Sequence, residues 1–188
     1  MINRFERVLL KALGTILVLS LFSCISTGTT QSDTAPLTVK LLSKKEVTSS
    51  FGVESTKNPY QVPFRLLPKN PFSFVVLKLT LLNDAPVQLK VLEAHILDKE
   101  NNALGNYYSL EQMKSFWNIY SLPDEIDFLY DKLDKSYLIS DDSSFRAGKH
   151  NKFFVIAVRK VPLPDEYVVR VVISIDSIET VFEIPFAK

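Results

Sequence analysis

The chain has 188 residues, 46% of them hydrophobic, with 22 Lys plus Arg against 21 Asp plus Glu and one cysteine. That balance provides no long-range steering toward nucleic acid or anionic lipid, and a nucleic-acid role has no support. One cysteine excludes an intrachain disulfide, so a hydrophobic core has to carry the stability.

The N-terminus "MINRFERVLLK" sets Arg4, Arg7 and Lys11 against Glu6, and the apolar run "ALGTILVLSLF" follows from Ala12 to Phe22. A basic segment ahead of a short apolar one is the pattern of an export signal, and the run falls short of the roughly 20 residues a spanning helix needs. It ends in Leu21-Phe22-Ser23-Cys24. This tetrad resembles the lipobox of bacterial lipoprotein precursors, with Phe22 standing where Ala or Ser is commoner. The resemblance implies that residues 1–23 are a signal peptide cut before Cys24. The Cys24 thiol would take a diacylglyceryl group, and the new amine a further acyl chain. Two or three chains make a stable anchor where one is marginal. Ile25 is not Asp, so nothing here resembles the inner-membrane retention signal. Without residues 1–23 the balance is 19 basic against 20 acidic side chains.

Residues 24–35 are rich in Ser and Thr and read as a flexible tether, about 35–40 Å at full extension. Residues 36–188 then read as one domain. "LTVKLL" is a first strand. The following polar segment predicts a short strand around Ser50–Glu54, and Pro59, Pro63, Pro68 and Pro71 rule out a helix beyond it. "FSFVVLKLTLL", Phe72 to Leu82, places Val75, Leu77, Leu79 and Leu81 on one face. In "VQLKVLEAHIL" the apolar phase moves from Val87, Leu89 and Val91 to Leu92, Ala94 and Ile96, which predicts a β-bulge near Val91.

A helical insertion near 109–135 follows. Ser109 and Gln112 have capping-box spacing, and Leu110, Met113, Trp117 and Tyr120 recur at helical intervals. Pro123 opens a second helix with Ile126, Leu129 or Tyr130, and Leu133 facing inward. "SYLIS" resumes the sheet. After a turn at Gly148–Asn151, "KFFVIAVRKV" reads as a doubly buried strand. "EYVVRVVISI" places Tyr167, Val169, Val171, Ile173 and Ile175 on one face, and Pro185 suits an edge in "TVFEIPF". Six or seven strands in this order predict a mainly β fold, an antiparallel β-sandwich with a two-helix insertion. "PLPDEYVVRV" resembles the corner of immunoglobulin-like and fibronectin-like sandwiches, with Tyr167 in the place of the corner tyrosine and Asp165 where a glycine is common.

Catalytic motifs are missing from the sequence. His95 and His150 fit no zinc spacing, no G-x-S-x-G occurs, and the glycines form no phosphate cradle. Acid pairs such as Asp141-Asp142 read as solvated turns. The expectation is therefore no catalytic residue, no metal and no cofactor. The feature singled out for binding is the aromatic cluster of the insertion. Tyr107, Tyr108, Trp117 and Tyr120 are candidate partner-contacting residues, against the plainer reading that they seal the helices onto the sheet. Tyr107 and Tyr108 adjoin a turn and are expected to be the freest. The function expected is a lipid-anchored extracytoplasmic binding or assembly module without catalytic activity, contacting a protein or envelope partner. The alternatives are an accessory subunit of an envelope complex and, last, a cell-envelope hydrolase.

Overall fold

A computed structural model of the chain describes residues 29–31, 37–54, 57–62, 73–138, 143–159 and 162–187. The expected signal peptide, Cys24, and the turn residues Asp141 and Asp142 lie outside them. The elements in chain order are β1 (Thr29–Gln31), β2 (Leu37–Leu41), α1 (Lys44–Phe51), β3 (Ser73–Asn83), β4 (Val87–Leu97) and β5 (Ala103–Tyr108). Then come α2 (Leu110–Tyr120), α3 (Pro123–Ser136), β6 (Ser143–Phe145), β7 (Gly148–Val158), β8 (Glu166–Ile175) and β9 (Ile178–Ala187).

Among the described residues the fold is mainly β, with three helices. The nine strands described form one antiparallel sheet in the order β1-β2-β3-β7-β5-β4-β8-β9, with β6 on β4. The strand path is continuous from β1 to β9. The join is β5, whose six residues are shared: His95 to Leu97 of β4 pair with Asn106 to Ala103, and Gly105 to Tyr108 pair with Val158 to Val155 of β7. At the far side β1 lies against β9, so the sheet is nearly closed. A Cβ at Gly105 would sit 2.7 Å from the Ala157 carbonyl oxygen, closer than a side chain tolerates. Glycine thus lets β5 cross from one half of the sheet to the other.

Alternation does the rest. Val75, Leu77, Leu79 and Leu81 of β3 point into the core with Leu37, Val39 and Leu41 of β2, and all of them are buried. Tyr167, Val169, Val171, Ile173 and Ile175 of β8 are buried as expected, facing Phe182 and Ile184 of β9. The β4 bulge is present: Val91 pairs with Ile173 and Glu93 with Val172, leaving Leu92 as the extra residue. Without it Ala94 and Ile96 would face solvent. Both are fully buried.

Several expectations change. The strand predicted around Ser50–Glu54 is replaced by α1. Ser43 accepts from the Glu46 N–H while Glu46 accepts from the Ser43 N–H, a complete capping box, and Val47 and Phe51 turn inward at helical spacing. Thr29–Gln31, in the stretch read as tether, pairs with β2 instead. The turn expected at Gly148–Asn151 is the start of β7, paired with β3 from Asn83 onward. Tyr107 and Tyr108 belong to β5, a strand that the sequence reading missed. Tyr167 is buried with its ring stacked 4.6 Å from Phe186, and no hydrogen bond to its hydroxyl is found among the described residues.

Candidate functional site

The helical insertion builds both a buried aromatic seam and an open groove. Ser109 caps α2 by accepting from the Gln112 N–H, and Gln112 Oε1 accepts from the Ser109 N–H at 2.8 Å. The helix then buries Leu110, Met113, Phe116 and Trp117, as the periodicity required. Helix α3 starts on Pro123 and buries Leu129 and Leu133. Lys114 clamps the pair of helices, bonding Asp134 at 2.7 Å, while the Tyr130 hydroxyl donates to the Lys114 carbonyl at 3.0 Å.

Trp117 is 0% exposed, and its indole N–H donates to the Pro59 carbonyl at 3.1 Å. It is therefore a structural residue with no surface to offer a partner. The loop carrying Pro59 is itself pinned. Asn58 donates to the Gly52 carbonyl at 2.9 Å and accepts from the Tyr60 N–H at 3.0 Å. The Tyr60 hydroxyl meets Ser136 Oγ at 2.7 Å, and Lys132 Nζ donates to the carbonyls of Phe51 and Lys57. Phe51, Tyr60, Tyr137 and Phe153 stack into one cluster between the helices and the sheet. Tyr137 donates to the Tyr108 carbonyl and accepts from the Val155 N–H, and with Leu138 it covers the β7 edge where β5 leaves it. Burial drives the Tyr60 and Tyr137 hydroxyls well above their ordinary titration range.

The remaining candidates lie nearer the surface. Tyr107, Tyr108 and Tyr120 are half-buried. Tyr107 packs edge-on against Phe154, and Tyr120 against Phe116 at 4.8 Å. Tyr108 and Tyr120 line a groove of about 450 Å³ together with Gln112, Ser115, Phe116, Ile119 and Arg159. A second hollow of about 430 Å³ runs along β5 past Tyr107 and shares Tyr108, Gln112 and Arg159 with the first. Ile119 is 71% exposed on the groove wall. Arg159, just past β7, is exposed and has no ion pair among the described residues. Sequence reading missed Ile119 and Arg159. The only available signal was Ile119, an apolar side chain off the buried stripe of α2.

The groove offers aromatic and aliphatic walls, one guanidinium and the Gln112 amide N–H₂, whose carbonyl end is occupied by the cap. Such a surface can hold an apolar segment and pair with one acidic group. His95 Nδ1 lies 3.2 Å from Asn106 Oδ1, and His150 Nε2 lies 2.7 Å from the Arg146 carbonyl, each away from the groove lining. Among the described residues no three His, Cys, Asp or Glu side chains are placed to hold a metal, and no helix is long and apolar enough to cross a membrane. The class defined by this geometry is a mainly β domain with a nearly closed antiparallel sheet and a surface groove under a helical hairpin. No protein-family model, curated protein or solved structure matches the chain.

Proposed function

We propose that the protein is an exported lipoprotein, anchored to a bacterial membrane through acylated Cys24, whose folded domain binds a protein or envelope partner without catalysing a reaction. The lipid reading rests on the basic and apolar N-terminus and on Leu21-Phe22-Ser23-Cys24. The binding reading is carried by one observation, the groove between α2 and the β5–β7 junction. There Tyr108, Ile119 and Tyr120 stand beside Arg159, which has no ion pair among the described residues. On this reading the sheet is an immunoglobulin-like sandwich whose layers, β1-β2-β3-β7 and β4-β8-β9, stay joined through β5.

Two measurements test it. Wild-type protein should enter the detergent phase on partitioning and Cys24→Ala should stay aqueous. If both stay aqueous, the anchor is lost from the reading. A photo-crosslinking amino acid at Ile119 in intact cells should trap one species in near-stoichiometric yield, where the same probe at Ile178, 66% exposed on the β8–β9 turn, traps none. Equal, diffuse labelling at both positions would remove the groove as a binding site.

A further inference from the structure

Three features converge on the corner between β2 and α1. The first is the direction of β1. Thr29 pairs with Lys40 and Gln31 with Thr38, so the N-terminal end of β1 lies beside the end of β2 that runs on into Leu42, Ser43 and Lys44. The second is length. Only four residues, Ile25 to Gly28, separate Cys24 from Thr29. Five peptide units span at most about 18 Å, roughly half the reach expected had residues 24–35 all been free.

The third feature is charge. Lys44 and Lys45 are exposed and have no ion pair among the described residues. They occupy the first two positions of α1, where the helix dipole disfavours cations, so local helix stability does not account for them. The nearby acid, Glu46, is already committed to Lys40 at 2.6 Å and to the capping box. Among the described residues the corner therefore presents two uncompensated positive charges beside the N-terminal end of β1. The whole chain is too nearly neutral to be steered from a distance, but the leash brings these charges toward the roughly 8–10 Å over which a charged surface acts.

We propose that the β2–α1 corner is a membrane-contact surface, with the short leash from lipidated Cys24 setting Lys44 and Lys45 on the headgroups of an anionic bilayer. The proposal rests on the lipidation reading above and adds an orientation to it. The sheet stands against the membrane by this corner instead of trailing on a long tether.

Trp117 is the only tryptophan and serves as a built-in donor. Full-length lipidated protein is reconstituted into phosphatidylcholine vesicles containing a dansyl-headgroup acceptor lipid, with and without phosphatidylglycerol. Energy transfer should be stronger with phosphatidylglycerol and should fall with added salt. Lys44→Glu with Lys45→Glu should bring it down to the neutral-vesicle level, each lysine having contributed roughly fivefold to the contact equilibrium. A Gly/Ser insertion after Thr27 leaves every strand intact, and it should reduce transfer in both vesicle types by releasing the leash. Lipidated protein whose transfer is indifferent to the insertion and to both charge reversals overturns the proposal alone. Mass spectrometry showing Cys24 unmodified overturns the lipidation reading and the proposal together.

Discussion

The indole N–H of Trp117 donates to the Pro59 carbonyl across 58 positions of sequence, in a contact sealed from solvent. This one bond joins α2 to the loop behind α1, and it turns the tryptophan from a candidate contact residue into a strut. Trp117→Phe leaves the Pro59 carbonyl without its donor and should cost about 1–3 kcal/mol in urea denaturation. Native emission should be that of a dry indole and move to the red across the same transition. A native spectrum typical of a wet indole would contradict the packing described.

Gly105 is where the two halves of the sheet are joined, and its missing side chain is what permits the join. Gly105→Ala drives a Cβ to 2.7 Å from the Ala157 carbonyl and 3.1 Å from the methyls of Ile156 and Val158. The expected loss is about 1–3 kcal/mol, seen as a lower melting temperature by circular dichroism. An unchanged melting temperature would mean that β5 does not cross so closely.

Leu92 is an extra residue in the β4 ladder, so removing it leaves Val91, Ala94 and Ile96 on the core side. Deletion of Leu92 should be folded and only mildly destabilised. Deletion of Thr80 from the unbulged β3 ladder throws one part of the strand out of phase and should abolish soluble, cooperatively melting protein. Equal damage from both deletions would refute the bulge.

The pH dependence should be two-sided. The hydrogen bond from Lys40, aided by the Ser43 N–H and hydroxyl, lowers the Glu46 carboxyl from 4.5 to about 2. Its contribution is present above the unfolded value and fades as pH falls from about 4.5 toward 2. The pair is part-exposed, so the loss should stay below about 1 kcal/mol and vanish in Glu46→Gln. Burial raises Tyr167 from 10.0 to about 12 and raises Tyr60 and Tyr137 as well. Their contribution is complete below pH 10 and disappears as pH climbs through the folded values. Tyr167→Phe should therefore flatten the alkaline limb of a stability-against-pH curve.

Arg159→Glu tests the groove without touching the core. The side chain is exposed and has no ion pair among the described residues, so stability should change by no more than about 0.5 kcal/mol. Crosslinking from position 119 should fall sharply. Retained crosslinking would show that the partner carries no acidic group facing Arg159.

The sequence by itself determined the long strands, the inward faces of β3 and β8, the β4 bulge, and both helices of the insertion. Each of these is written as a local period or a spacing of a few residues, which short-range sterics and burial enforce. Ser43-x-x-Glu46 was just as local a signal for α1, yet the polar residues around it hid the two apolar anchors, Val47 and Phe51. Tertiary structure alone decided the rest. That β5 would join two halves into one nearly closed sheet depends on a glycine meeting a strand more than fifty residues away. That Trp117 would be buried while Ile119 was exposed depends on where the Pro59 loop lands. The pairing of Thr29–Gln31 with β2, which shortens the proposed leash, follows from a free ladder edge that no local pattern announces.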